Sequence, residues 1–167
     1  MTQGKVCRLA AALQGAIVTW KGPVVPAMSQ DVDELIRLLD DQPKPVCAAL
    51  TPFTVVGARF DIGFVKLEFA AQPAFRNHFG NIQGGFAVAM LDAVVSIAAY
   101  ALLRQWLPTI EIKSSFLEPI PIGPCIGEGR VLKAGRSLAF IEGRLMTPDQ
   151  RPAVTATATA LVPAPKV

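Results

Sequence analysis

The sequence predicts a single α+β domain in which an antiparallel sheet wraps one long central helix. Three observations lead there. Residues 84 to 103 run through Gly, Ala, Val, Met, Leu and Ile with few interruptions, enough for a helix of about 30 Å. Segments on either side have strand character, most plainly where Val65, Leu67 and Phe69 alternate with Lys66 and Glu68. One long apolar helix followed by a run of strands, with no internal repeat, is the pattern of a sheet that covers a helix. With 167 residues, 51% of them hydrophobic and 17% charged, the chain can bury a real core, and the apolar excess implies self-association.

In chain order, Lys5 and Arg8 precede an apolar segment from 9 to 20 that superficially resembles a signal peptide. Its basic region is thin, and Pro26-Ala27 before Met28 is a poor cleavage signal. Residues 1 to 27 are therefore read as an appended leader, 28 to 167 as the domain, and Met28 as the natural start. Ser29-Gln30-Asp31-Val32-Asp33-Glu34 opens a helix with a Ser cap and an acidic first turn. Pro43 and Pro45 break that helix. Strands follow at 53 to 61 and 64 to 71, joined by Asp61-Ile62-Gly63, then a polar loop and the long helix from 84 to about 104. Further strands at 109 to 118, 125 to 133, 137 to 147 and 152 to 162 are expected to form an antiparallel meander. Alternating Thr and Ala from 155 to 159 give the last strand one small polar face.

Several function classes are disfavoured. A net charge of +3, with no basic cluster and no aromatic ladder, does not describe a nucleic-acid surface. Cys7, Cys47 and Cys125 are odd in number and far apart, which signals neither a disulfide framework nor a zinc site and suits a reducing cytoplasm. A lone histidine, His78, cannot supply the usual multi-His zinc sites, so no metal is expected; neither a P-loop nor a dinucleotide-binding glycine fingerprint is present. The 84 to 103 helix is long enough to cross a membrane, but Asp92 near its middle would cost roughly 2.5–3.5 kcal/mol, which favours a core helix.

That aspartate is the centre of the chemistry. Asp92 and Ser96 are nearly the only polar side chains of the long helix. A buried carboxylate without a partner costs several kcal/mol, so Asp92 is expected to be partnered, protonated or catalytic. As a base it would take a proton from water; the bland alternative is a buried Asp that ties down a neighbouring loop. Gly84, about 12 Å up the axis, puts a backbone N–H at the positive end of the helix, where an oxyanion is stabilised, or simply makes a tight turn. A substrate could span both. Asn77 can donate its amide to the same oxygen or hold the loop by bonding to its backbone.

The segment from 77 to 92, Asn-His-Phe-Gly-Asn-Ile-Gln-Gly-Gly-Phe-Ala-Val-Ala-Met-Leu-Asp, resembles the catalytic segment of hotdog-fold acyl-CoA thioesterases of the phenylacetate-degradation (PaaI-like) group. That pattern is Asn, five residues, His-Gly-Gly, then Asp on the central helix; Asn77, Gly84, Gly85 and Asp92 fall in register, and Gln83 stands at the usual His. The segments 108 to 119 and 132 to 140 are similar to the group's strand after the helix and its later hairpin, so the resemblance spans about 46 to 162. It implies a hotdog fold and hydrolysis of an acyl-CoA, with coenzyme A as part of the substrate and no separate cofactor. In that reading Asn77 and Gly84 polarise the carbonyl, Asp92 and Thr109 activate water, and Gln83 and Gly85 meet the substrate. Gly135 and Arg136 would lie in a turn near the coenzyme A phosphates or pantetheine, with a solvated hairpin as the bland alternative. The resemblance further implies a homodimer or dimer of dimers with its sites at the subunit seam.

Two alternatives use the same residues. A dehydratase of 3-hydroxyacyl thioesters would pair His78 with Asp92, although the proline-rich loop of such enzymes is missing here. A non-catalytic acyl-CoA-binding protein is suggested by Gln83, which cannot transfer a proton at physiological pH. Phe86, Met90 and Phe116 fit either an acyl pocket or the core.

Overall fold

The computed structural model describes residues 28–164, so the leader proposed for 1 to 27 lies outside the described residues. The first helix, α1 (Ser29–Asp40), begins one residue earlier than its expected cap implied. Met28 is the N-cap and makes no side-chain capping bond, so Ser29 already has helical backbone. Asp31 in the first turn instead accepts the Phe60 backbone N–H at 2.8 Å, which ties α1 to the chain beyond the first strand, and Leu35 is fully buried in the core.

That strand, β1 (Phe53–Arg59), ends sooner than the sequence suggested because Phe60–Ile62 form a 3-10 turn. Gly63 closes the turn at φ 58°, and a Cβ there would lie 2.7 Å from Val131 Cγ2, so both backbone and space require glycine. Then come β2 (Phe64–Phe69), α2 (Gly84–Leu103), β3 (Thr109–Phe116), β4 (Cys125–Ala134), β5 (Leu138–Met146) and β6 (Pro152–Leu161). Helix α2 stops at Arg104, which takes the left-handed conformation at φ 57° and donates its backbone N–H to Tyr100.

The strands form one six-stranded sheet in the order β1-β2-β4-β5-β6-β3, every pair antiparallel. This corrects the expected meander: only β4, β5 and β6 follow one another, whereas β3 crosses to the far edge beside β6. The link after β3 explains the crossing. Ile82 donates its N–H to Ile120 at 2.8 Å and Asn81 bridges Pro121, so the chain passes the N-terminus of α2 on its way back to the place beside β2.

Helix α2 packs mainly on β2, β4 and β5. Side chains that alternate along the strands meet it: Val65, Leu67 and Phe69 from β2, Ile141 and Leu145 from β5, and the small Ala156, Ala158 and Ala160 from β6 are all buried. Glycines bring the helix close. A Cβ at Gly127 would lie 2.6 Å from Val94 Cγ2, and one at Gly129 would lie 2.8 Å from Val94 Cγ1 and 2.9 Å from the Val94 carbonyl oxygen. By length and composition α2 could cross a membrane, but 56% of its most apolar window is buried inside this fold, as befits a core helix. On the outer face of the sheet, Glu128-Gly129-Arg130 and Glu142-Gly143-Arg144 pair antiparallel, so that Arg130 bonds Glu142 and Arg144 bonds Glu128. A cavity of about 360 Å³ lies on that face, lined by these two ion pairs and by Lys113.

Candidate active site

The site begins in the loop before α2. Residues 76 to 82 fold back on themselves: Arg76 bridges Ile82, Asn77 N–H donates to Asn81 at 2.8 Å, and Gly80 turns the chain at φ 83°. Asn77 Oδ1 accepts the N–H groups of Phe79 (2.9 Å) and Asn81 (3.1 Å). Its carbonyl oxygen therefore holds the loop, the structural one of its two expected roles. Its Nδ2 has no hydrogen-bond partner among the described residues and stays available as a donor. Two rungs along, Gln83 N–H donates to Phe75 at 2.8 Å, and the Phe75 ring stacks on Phe86 with centroids 4.0 Å apart. The loop thus holds Asn77 two rungs from the Gln83 cap of the helix.

At that mouth the first N–H groups of α2 have no intrahelical acceptor. Gln83 is the N-cap, and its Oε1 accepts from Gly85 at 2.7 Å and from Phe86 at 3.4 Å. The Gly84 N–H is left without a partner among the described residues, at the positive end of a helix of 20 residues. Phe116, 56% exposed at the end of β3, lies over this glycine; its Cε1 and Cζ would be 3.2 Å from a Cβ at position 84. A side chain there would have to displace the ring.

Two turns along α2, the Thr109 hydroxyl donates to Asp92 Oδ1 at 3.0 Å. The structure brings this expected pair together although the residues belong to different elements. Asp92 is partnered, one of the states expected of it, but it is half-buried where full burial was expected. The reason is topological: the sheet packs against α2 through β2, β4 and β5, and the flank toward the edge strand β3 stays open. Strand β3 lines that flank from Thr109, beside Asp92, to Phe116, beside Gly84. Ser114, which the sequence reading missed, pairs with the helix-facing Ala156 and so shares this side; its buried hydroxyl has no partner among the described residues. No sequence pattern marks it, because a Ser inside a strand reads as an ordinary strand residue.

The remaining expected residues are more peripheral. Gly135 N–H donates to Leu138 at 2.8 Å in the β4–β5 hairpin, and Arg136 is exposed there without a partner among the described residues. Strand order puts that hairpin at the Thr109 end of the sheet, with β6 between β5 and β3. His78 is exposed, its ring lies 4.1 Å from that of Phe79, and it makes no hydrogen bond with Asp92. Among the described residues no three His, Cys, Asp or Glu side chains gather as a metal site would need.

Comparison with known proteins accords with this fold. Residues 79–154 match the family described as Thioesterase superfamily. The phenylacetic acid degradation-related protein of Ralstonia eutropha JMP134 is 30% identical over 75% of this chain and 96% of its own, with a TM-score of 0.69. Two more distant structures share the fold, each at 16% identity. A Streptococcus mutans UA159 protein bound to acetyl CoA aligns with 74% of this chain and 95% of its own at a TM-score of 0.64. A Streptococcus pneumoniae TIGR4 thioesterase protein with coenzyme A aligns with 80% and 99% at 0.66. The curated proteins compared include no match. The chain belongs to the thioesterase superfamily and carries its hotdog fold.

Proposed function

We propose that the protein hydrolyses an acyl-CoA to a free acid and coenzyme A. The observation that carries this reading is the flank of α2 beside β3, where an unbonded Gly84 N–H lies near Phe116 and the Thr109–Asp92 pair lies two helical turns further on. Coenzyme A and acetyl CoA in two proteins of the same fold support the choice of thioester.

In the proposed reaction Asp92 takes a proton from water while the water oxygen attacks the thioester carbon. Thr109 holds the carboxylate oxygen it bonds, so the other oxygen faces the water. The carbonyl oxygen gains negative charge where the Gly84 N–H and the helix dipole stabilise it, joined by Asn77 Nδ2. Collapse breaks the C–S bond, and the proton on Asp92 passes to the departing thiolate. Arg136, with Lys133 near it, suits the coenzyme A phosphates, since a guanidinium pairs well with phosphate.

A homodimer suits this chemistry. Among the described residues strand β3 is a sheet edge, and Ile110, Phe116 and Leu117 on or beside it are exposed, the features of an edge that pairs with another strand. A second copy joined there would cover the open flank of α2, and a dimer of dimers is compatible with it. The dehydratase alternative draws no support from His78, which is exposed and makes no hydrogen bond with Asp92. The test is a panel of acyl-CoA thioesters with thiol release as readout. Release from at least one thioester is expected; enoyl absorbance would favour dehydration, and tight binding without turnover a carrier or sensor.

A further inference from the structure

We infer that the outer face of the sheet docks a second copy of this chain, aligned by a square of alternating charges at its centre. The square follows from strand register. On β4, Glu128 and Arg130 stand two residues apart, and on β5 Arg144 and Glu142 lie directly opposite them. Arg130 donates through Nε (3.1 Å) and Nη2 (2.7 Å) to Glu142, and Arg144 donates through Nε (2.9 Å) and Nη2 to Glu128. Like charges therefore sit at opposite corners. The four side chains are between 14% and 31% exposed and hold one another in place, so the pattern is set before any partner arrives.

Such a square is complementary to itself. If a copy is turned over and laid face to face about a two-fold axis in the sheet plane, either along the strands or across them, every glutamate falls over an arginine. An axis along a diagonal of the square puts like over like, so the charges select orientation as well as partner. The rest of the face suits this occupant. Helix α2 covers the other side of the sheet and α1 meets β1. Leu138 and Phe140 continue the outward side of β5 from Glu142 and are exposed, which adds apolar area beside the charges. The strands β2, β4, β5, β6 and β3, spaced about 4.8 Å and roughly 27 Å long, present about 650 Å² in projection and more with side-chain relief. Each side of a standard interface buries about 800 Å², so the face is large enough. The cavity of about 360 Å³ on this face is space that the copy would fill. The contact is separate from the β3 edge, and an edge-paired dimer that docks through it becomes a dimer of dimers.

Assembly mass, measured by native mass spectrometry and light scattering at low salt and one protein concentration, tests the inference. Arg130→Glu with Arg144→Glu makes all four corners negative; Glu128→Lys with Glu142→Lys makes them all positive. Ion pairs near a surface contribute little to folding, so both variants should fold. Each alone should have half the mass of the parent, because like charges meet across the face, and an equal mixture of the two should regain the parent mass. A variant that keeps the parent mass, or a mixture that stays at half of it, overturns the inference. If either variant melts more than about 10 °C below the parent, the neutral variant Glu128→Gln, Arg130→Gln, Glu142→Gln, Arg144→Gln decides instead. The concentration at which its assembly falls to half mass should rise about tenfold or more, and an unchanged value overturns the inference. No substrate enters these measurements, so the docking can fail while the proposed hydrolysis stands, and the reverse.

Discussion

The height of α2 above the sheet sets where Gly84 and Asp92 stand relative to β3, and two glycines fix that height in different ways. At Gly127 an added Cβ would meet only side chains: Val94 Cγ2 at 2.6 Å, Phe69 Cε2 at 2.9 Å and Leu145 Cδ2 at 3.3 Å. At Gly129 it would meet Val94 Cγ1 at 2.8 Å but also the Val94 carbonyl oxygen at 2.9 Å, and a helix carbonyl cannot rotate aside. Overpacking a well-filled core costs about 1–3 kcal/mol, so both single alanine variants should be destabilised within that range. Combination with Val94→Ala separates them. Removing the valine methyls takes away the closest obstacle at Gly127, and the new Cβ then fills part of the void. The cost of Gly127→Ala should fall by about 1 kcal/mol or more in that background, a coupling typical of residues in contact. Gly129→Ala should remain costly there, because the carbonyl obstacle is still present. Urea unfolding at one fixed protein concentration, read as midpoint and slope for the six proteins, supplies the two cycles. Equal coupling at both positions, or a Gly129→Ala variant within about 0.5 kcal/mol of the parent, would refute the claim that backbone contact with α2 selects glycine at 129.

Three further outcomes follow from the geometry. Thr109→Val removes the hydroxyl bonded to Asp92 and should lower kcat/KM about tenfold, roughly 1.4 kcal/mol, whereas Thr109→Ser should keep most of it; equal loss in both variants would count against the bond. His78→Ala should cost less than about tenfold in kcat/KM, because His78 is exposed and unbonded to Asp92; a loss as large as that of an Asp92 variant, with no further loss in the double variant, would favour the dehydratase pairing. Burial pushes the Cys125 thiol from 9.0 to about 11, so alkylation of the native protein at pH 8 should modify the exposed Cys47 and spare Cys125, as peptide mapping by mass spectrometry would reveal. A thiol held neutral in the fold adds stability that is full below about 9 and lost as pH rises through about 11, so that contribution should vanish in strong base.

Much of the fold was legible because local patterns and tertiary context agree. The period-two run in β2, the long apolar stretch of α2 and the Thr–Ala alternation of β6 each lie within a few residues of their expected places. Strand order was not legible. Nothing in the residues of β3 states that it belongs beside β6; that depends on the link through Ile120 and Pro121, held by bonds to the loop before α2. At the site, the register from Asn77 to Asp92 selected the loop and first turns of α2, and the Thr109–Asp92 bond joins two residues selected separately. The partial exposure of Asp92 was hidden, since an apolar sequence around a carboxylate does not say which flank the sheet leaves open. The folded-back Gln83 was hidden as well: a glutamine before two glycines reads equally as a loop residue or a substrate contact, and only the backbone path makes it a cap.

The claim that Asp92 activates water is tested most directly by Asp92→Asn, which keeps the size of the side chain and its ability to accept from Thr109 but removes its capacity to take a proton. With the most readily hydrolysed acyl-CoA, kcat should fall by about a hundredfold or more, roughly 2.7 kcal/mol in the barrier, while the melting temperature and the affinity for free coenzyme A stay near those of the parent. Turnover within a few fold of the parent, in a protein that still folds and binds coenzyme A, would contradict it.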